Sequence, residues 1–226
     1  MLVSDKPTNS PRSAPPLVTT VVPVVHVVDD EKTIQTLFTN MGRILPYEFH
    51  THGTAAEFFA DHDDSRPCCL VLDLNLPDRT GIEVLRDLAA KNSRLPVVFM
   101  SGMARVSEAV NALKLGSIDF VEKPFDVHDI GTVLRRAVEL DLARRRKGAD
   151  QEDLRHRFES LTNRESQVME LIVRGAANKE VAATLGLSHK TVEVHRANLM
   201  RKTGAGSLAE LVRMHVAVHT ATADAL

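Results

Sequence analysis

Four short apolar runs in the first half of the chain end on residues capable of chemistry, and this pattern constrains the fold more than any other feature. Cys68-Cys69-Leu70-Val71-Leu72 stops on Asp73, and Val24-Val25-His26-Val27-Val28 stops on Asp29 and Asp30. Val97-Val98-Phe99-Met100 stops on Ser101, and Ile118-Asp119-Phe120-Val121 runs two residues on into Lys123. Runs that are apolar throughout suit strands buried on both faces, as in a parallel sheet. Ligands of an open α/β sheet bind at the carboxyl ends of its strands, where loops converge on a crevice. The pattern therefore predicts three carboxylates, one hydroxyl and one ammonium at a single sheet edge.

Between these runs the apolar period becomes helical. Ile34, Leu37, Phe38 and Met41 share one face and Gly42 closes the helix, a further strand is placed over Tyr47 to Thr51, and Thr54 caps a short helix through Phe58 and Phe59. Gly81 opens a helix with Ile82, Leu85 and Ala89; Val106, Ala109, Val110 and Leu113 mark another, closed by Gly116. Asp126 caps the last, whose stripe is Ile130, Val133, Leu134, Ala137 and Val138. Five strands alternating with five helices over residues 23–140 predict an α/β fold with a doubly wound, five-stranded parallel sheet. Residues 1–22, with Pro7, Pro11, Pro15 and Pro16 among Ser, Thr and Asn, predict a disordered tail. The charged run Arg144 to Asp150 marks a partly helical linker over residues 141–158.

From residue 159 to 226 the pattern is all-α, with four helices. Thr162 with Glu165, and Ser207 with Glu210, read as capping boxes. Asn178 caps a helix holding Val181, Ala182 and Leu185, Gly186 makes a tight turn, and Ser188 caps a helix from His189 to Thr203. Helix, short glycine turn and helix is the helix-turn-helix pattern. Taken at 100° per residue, that last helix turns Val192, His195, Leu199 and Thr203 inward and Lys190, Glu193, Val194, Ala197 and Arg201 outward. Glu193 can accept from a cytosine amino group, Val194 and Ala197 can meet thymine methyls, and Lys190 and Arg201 can bind phosphates. Asn178, Lys179, Thr162 and Arg164 are further phosphate candidates. The same wheel also fits a solvated helix in a protein-binding scaffold.

Composition removes other classes. A net charge of −2 makes any basic surface local. Cys68 and Cys69 are neighbours on a strand and point to opposite faces, so no disulfide joins them; a reducing, cytoplasmic setting fits. No apolar run reaches the roughly 18 residues of a spanning helix, so no membrane is expected, and Leu17 to Val28, broken by Pro23, reads as tail and strand rather than a signal. His50 and His52 share a strand face, but without Cys or carboxylate companions no metal site is expected there.

Asp29, Asp30 and Asp73 crowded at one edge push one another's pKa values up unless something compensates. A few hard oxygens suit Mg²⁺, which keeps waters and takes further ligands from phosphate. Lys123 supplies a point charge for a phosphoryl oxygen and Ser101 a hydroxyl. Asp73, on the central strand, is then placed to attack phosphorus and form an acyl phosphate. Each acid alone is also explained as a cap or strand end. A Mg²⁺-dependent phosphohydrolase would need a general acid two residues beyond Asp73, where Asn75 stands.

Asp29-Asp30, Asp73 with Pro77 and Gly81, Ser101-Gly102 and Asp119 to Phe125 make residues 23–140 resemble the receiver domain of two-component response regulators. Leu161-Thr162 to Glu165, Asn178 to Ala182, and Leu187-Ser188 through Thr191, His195 and Asn198 to Lys202 resemble the LuxR-type DNA-binding domain. Together they resemble the NarL/FixJ family, nearest its FixJ-like members. The resemblance implies that Asp73 takes a phosphoryl group from a sensor histidine kinase. It also implies that Asp30 and Asp73 bind Mg²⁺ directly, Asp29 binds it through water, and the Asn75 carbonyl adds a ligand. Ser101 and Phe120 would form the switch, and the face of the fourth helix, fifth strand and fifth helix would dimerise. Ser188, Thr191, His195, Asn198 and Lys202 join the DNA-contact set, His195 and Asn198 near the backbone, and the helix after Ser207 would pair DNA-bound subunits. The expected protein is a phosphorylation-gated transcriptional regulator, an activator, whose unphosphorylated receiver restrains its output domain. Its partners are promoter DNA, a second copy and RNA polymerase, and its only catalysis is slow phosphoryl transfer and autodephosphorylation at Asp73.

Overall fold

The computed structural model describes residues 21–102 and 106–223, so the expectation for the N-terminal tail falls almost wholly outside the described residues. The chain divides into two units, residues 1–141 and 142–226. Among the described residues no helix is long and apolar enough to cross a membrane.

In the first unit the elements alternate as β1 (Val24–Val28), α1 (Lys32–Met41), β2 (Glu48–His52), α2 (Ala55–Asp61), β3 (Cys68–Asp73), α3 (Gly81–Ala90), β4 (Val97–Ser101), α4 (Val106–Lys114) and β5 (Asp119–Glu122). The fifth helix, α5 (Val127–Glu159), follows the last strand and begins here. The five strands are all parallel, in the order β2-β1-β3-β4-β5. The central strand β3 is buried at every position, as its unbroken apolar run requires. Register places the site: Val28 pairs with Leu72 and Asp73 with Met100, so Asp29, Asp73 and Ser101 follow one another across the same edge. Ser101 pairs with Glu122, which brings Lys123 to the end of the row.

Departures from expectation are local. Strand β2 begins one residue later than Tyr47, because Glu48 is the residue paired with Val24 and its N–H donates to the Pro23 carbonyl at 3.0 Å. In α1 Leu37 is 36% exposed and Gln35 is buried instead, its amide donating to the Asp29 carbonyl at 2.6 Å. A polar side chain enters the core there because it satisfies a strand-end carbonyl. Helix α3 starts with a capping box of Thr80 and Glu83. Asp126 caps α5, accepting from the Asp129 N–H at 2.8 Å. Helix α5 is continuous over 33 residues, so residues 141–158 are helical throughout rather than in part. Within the first unit its buried Asp141 accepts from the Cys68 N–H at 3.0 Å.

The second unit holds the end of α5, then α6 (Asn163–Val173), α7 (Asn178–Leu185), α8 (His189–Thr203) and α9 (Leu208–Ala223). Phe158, Val168, Met169, Ile172, Val181, Val192, Leu199 and Leu211 form its core. Gly186, between α7 and α8, has φ +65°, a left-handed turn that an L side chain adopts only with strain. Thr162 and Glu165 make the full capping box. Ser207 accepts from the Glu210 N–H, but Glu210 reaches the Gly206 N–H at 2.8 Å, one residue short of a box. Asn178 does not cap α7: Ala177 holds that position, and the Asn178 amide oxygen accepts from Arg196 Nη1 at 3.0 Å.

Candidate functional site

At the carboxyl edge of the sheet Asp29 is 0% and Asp73 7% exposed. Lys123 Nζ donates to Asp29 Oδ2 and to Asp73 Oδ2, both at 2.6 Å, and to Glu31 Oε1 at 3.1 Å. The other carboxylate oxygens are held by backbone: Asp29 Oδ1 accepts from the Glu31 N–H and Asp73 Oδ1 from the Asn75 N–H, each at 2.9 Å. Two acids and one ammonium are thus fixed in orientation before any ligand arrives. Burial raises the Asp29 carboxyl above its usual range, against the lowering effect of Lys123 and the Glu31 N–H. Burial pulls Lys123 down, but its hydrogen bonds to Asp29 and Asp73 prevail and hold it above the usual lysine value, so it is a cation at neutral pH.

Asp29, Glu31 and Asp73 each offer an oxygen within 4.8 Å of the others. This all-oxygen donor set fits a hard divalent cation. Asp30, the other acid of the expected set, is exposed and outside that group, whereas Glu31 lies within it. The signal was present in the run Asp29-Asp30-Glu31: an extended Glu31 at the helix cap turns its side chain back toward Lys123. Ser101 is buried at the end of β4, and Phe120 on β5 is half-buried against the core.

In the second unit α8 presents the expected two stripes. Val192, Leu199 and Thr203 are buried and His195 half-buried; Lys190, Glu193, Ala197 and Arg201 are exposed, and Val194 is 53% exposed. Ser188 caps the helix, accepting from the Thr191 N–H at 3.0 Å. Thr162, Arg164 and Lys179 are exposed and Asn198 half-buried. Lys202 is engaged inside the unit, donating to Glu165 Oε2 at 2.7 Å and to the Ser160 carbonyl at 3.0 Å.

Residues 25–135 match the response regulator receiver domain family, and residues 159–215 match the luxR family of bacterial regulatory proteins. The chain is 40% identical over 193 residues to the transcriptional regulatory protein FixJ of Rhizobium meliloti (strain 1021), covering 85% of this chain and 95% of that one. The chain belongs to the FixJ-like response regulators. The regulator is also 33% identical over 191 residues to the response regulator protein TodT of Pseudomonas putida, covering 84% of each. Among solved structures it is similar to the response regulator StyR, with TM-score 0.78, 36% identity and coverage of 85% and 98%. Full-length FixJ from B. japonicum aligns with TM-score 0.54 at 32% identity, covering 89% and 99%. The acidic edge is therefore that of a receiver domain, and the helical unit is a DNA-binding output domain.

Proposed function

We propose that Asp73 accepts a phosphoryl group from the phosphohistidine of a sensor kinase, and that this modification promotes dimerisation and sequence-specific promoter binding through α8. The observation that carries the reading is the pair of 2.6 Å bonds from Lys123 to Asp73 and Asp29 at the end of the central strand. A carboxylate oxygen of Asp73 attacks phosphorus; the P–O bond forms as the P–N bond to the donor imidazole breaks, and the imidazole leaves with a proton. Mg²⁺, which Asp30 and Asp73 would hold directly and Asp29 through water, with the Asn75 carbonyl as a further ligand, would supply charge neutralisation at the phosphoryl oxygens. Lys123 exchanges one carboxylate for a phosphoryl oxygen, the Ser101 hydroxyl takes another, and Phe120 follows Ser101. With Asn75 where a general acid would stand, the acyl phosphate hydrolyses slowly.

On DNA, Lys190, Arg201, Lys179, Arg164 and Thr162 bind phosphates, Glu193, Val194 and Ala197 face base edges, and Ser188, Thr191, His195 and Asn198 lie along the backbone. Asn178 and Lys202 complete the set, each exchanging its present partner, Arg196 or Glu165, for a phosphate. The receiver spans residues 23–140, the linker 141–158 and the output domain 159–226, with activation through RNA polymerase in the cytoplasm. Genomic footprinting with and without acetyl phosphate tests the reading. Wild-type occupancy should rise about tenfold, equivalent to about 1.4 kcal/mol, and the Asp73→Asn chain should not respond. An equal response in both chains refutes it.

A further inference from the structure

A second cluster of ligand-type side chains lies on β1, β2 and α2, away from the strand ends. His26 pairs in register with His50, and His52 follows two residues along β2 on the same face. The expectation of no metal there assumed no carboxylate companion. The fold supplies one in Asp61, eleven residues from His50 at the end of α2, and a third imidazole in His26. Asp61 Oδ2 is 3.2 Å from His50 Nδ1 and 3.8 Å from His52 Nε2, and His52 Nε2 is 3.3 Å from His26 Nδ1. Zinc–nitrogen and zinc–oxygen bonds of about 2.0–2.2 Å in a tetrahedron put neighbouring ligand atoms about 3.3–3.5 Å apart. The ligand atoms of His26, His50 and Asp61 lie within 4.8 Å of one another, a spread that small side-chain shifts bring onto that edge.

Tautomers point the same way. His50 Nε2 lies 2.9 Å from Glu48 Oε1 and Nδ1 3.2 Å from Asp61 Oδ2, and the bonds to Glu48 and Asp61 raise the His50 pKa, so a metal at Nδ1 would take the place of the proton shared with Asp61. The position of that proton is one a cation can occupy, and the outer carboxylate that fixes the ring is the usual companion of a metal-bound imidazole. His26 is 2% exposed, and burial lowers its pKa to about 4, so its lone pair is available. Asp61 is exposed, which gives an ion and its exchangeable water a path in.

We propose that His26, His50 and Asp61, whose ligand atoms lie within 4.8 Å of one another, form a binding site for a divalent transition-metal ion of the zinc class, joining β1, β2 and α2, with water in the fourth position. Two imidazole nitrogens and one carboxylate oxygen suit Zn²⁺, whereas Mg²⁺ favours the all-oxygen edge. The test uses the tag-free, full-length chain stripped with chelator, titrated calorimetrically with Zn²⁺ in millimolar Mg²⁺. Cobalt(II) absorption reads coordination in parallel, and His50→Ala and Asp61→Ala are compared with wild type. Both variants change groups at the solvent-facing side, and their metal-free melting curves serve as the folding check. One equivalent should bind with micromolar or tighter affinity and give the intense visible bands of four-coordinate cobalt. It should also raise the thermal midpoint, and affinity should fall at least about tenfold in each variant. Failure of the wild type to bind at micromolar zinc overturns the proposal, as does binding that survives both substitutions.

Discussion

Replacing Gly81 by alanine adds one methyl group where the backbone of α3 passes over the end of β3. The Gly81 N–H donates to the Leu74 carbonyl at 2.9 Å. A Cβ there overlaps the Asp73 carbonyl oxygen and comes within 2.9 Å of Phe99 Cε1 and 3.2 Å of Leu74 Cα. None of these can step aside: the carbonyl belongs to the central strand and the ring is fully buried. Overpacking of this kind costs about 1–3 kcal/mol. The narrower unfolded ensemble of alanine returns about 0.4–1 kcal/mol, leaving a net loss of about 1–2 kcal/mol. Gly131→Ala is the matched control, because it lies in α5 of the same unit and its Cβ would meet Leu45 Cδ2 at an ordinary 3.4 Å. That variant should gain about 0.5–1 kcal/mol, as alanine does in a helix interior. Thermal unfolding followed by far-UV circular dichroism should separate the pair, since about 1 kcal/mol shifts the midpoint by about 2–4 °C at this chain length. The displaced loop also carries the Asn75 N–H that orients Asp73, so acetyl-phosphate labelling of Gly81→Ala should slow while Gly131→Ala labels normally. A Gly81→Ala chain that melts with or above wild type, beside a control that behaves as stated, refutes the close-approach argument.

Two further substitutions carry a pH signature. Lys123→Met leaves the buried carboxylates of Asp29 and Asp73 without their cation, costing about 1–3 kcal/mol at neutral pH. Asp29, already raised by burial, rises further; a raised carboxyl stabilises fully below its unfolded value of about 3.9 and loses that contribution as pH climbs through the folded value. Without added Mg²⁺ the urea midpoint of the variant should therefore drop more than that of wild type as pH rises from about 4; equal drops refute it. Lys202→Met acts with the opposite sign. The Lys202 hydrogen bond is the largest of the effects holding Glu165 below the usual carboxylate range, so Glu165 stabilises above its unfolded value of about 4.3 and loses this as pH falls through the folded one. The variant should lose about 1–3 kcal/mol near neutrality and show a flatter acid limb in urea titrations; an unchanged acid limb refutes the assignment.

The strand ends were legible because parallel strands announce themselves as unbroken apolar runs, and register then aligns whatever follows each run. Asp29, Asp73, Ser101 and Lys123 needed no more than that. What escaped depended on side-chain direction or on pairing across elements. Asp30 and Glu31 are neighbours, and only the turn into α1 decides which of them faces Lys123. Lys202 and Asn178 sit on helix surfaces by periodicity, yet each meets a partner from another helix that no local pattern reveals. Asp61 is invisible as a companion of His50 until α2 folds back over β2. The charged stretch after Asp141 reads as a partly helical linker because charge suggests solvation, but only Gly148 interrupts its helix-forming residues, and one glycine does not stop a helix.

The two cysteines of β3 sit on opposite faces of the central strand, fully buried and outside any disulfide. Burial pushes the Cys69 thiol well above its ordinary value, so it is un-ionised at any physiological pH. Alkylating reagents therefore meet these sulfurs only when the sheet itself opens. The chain carries, without engineering, a chemical clock for the exposure of its innermost strand, read on either side of the layer that the acyl phosphate would sit upon.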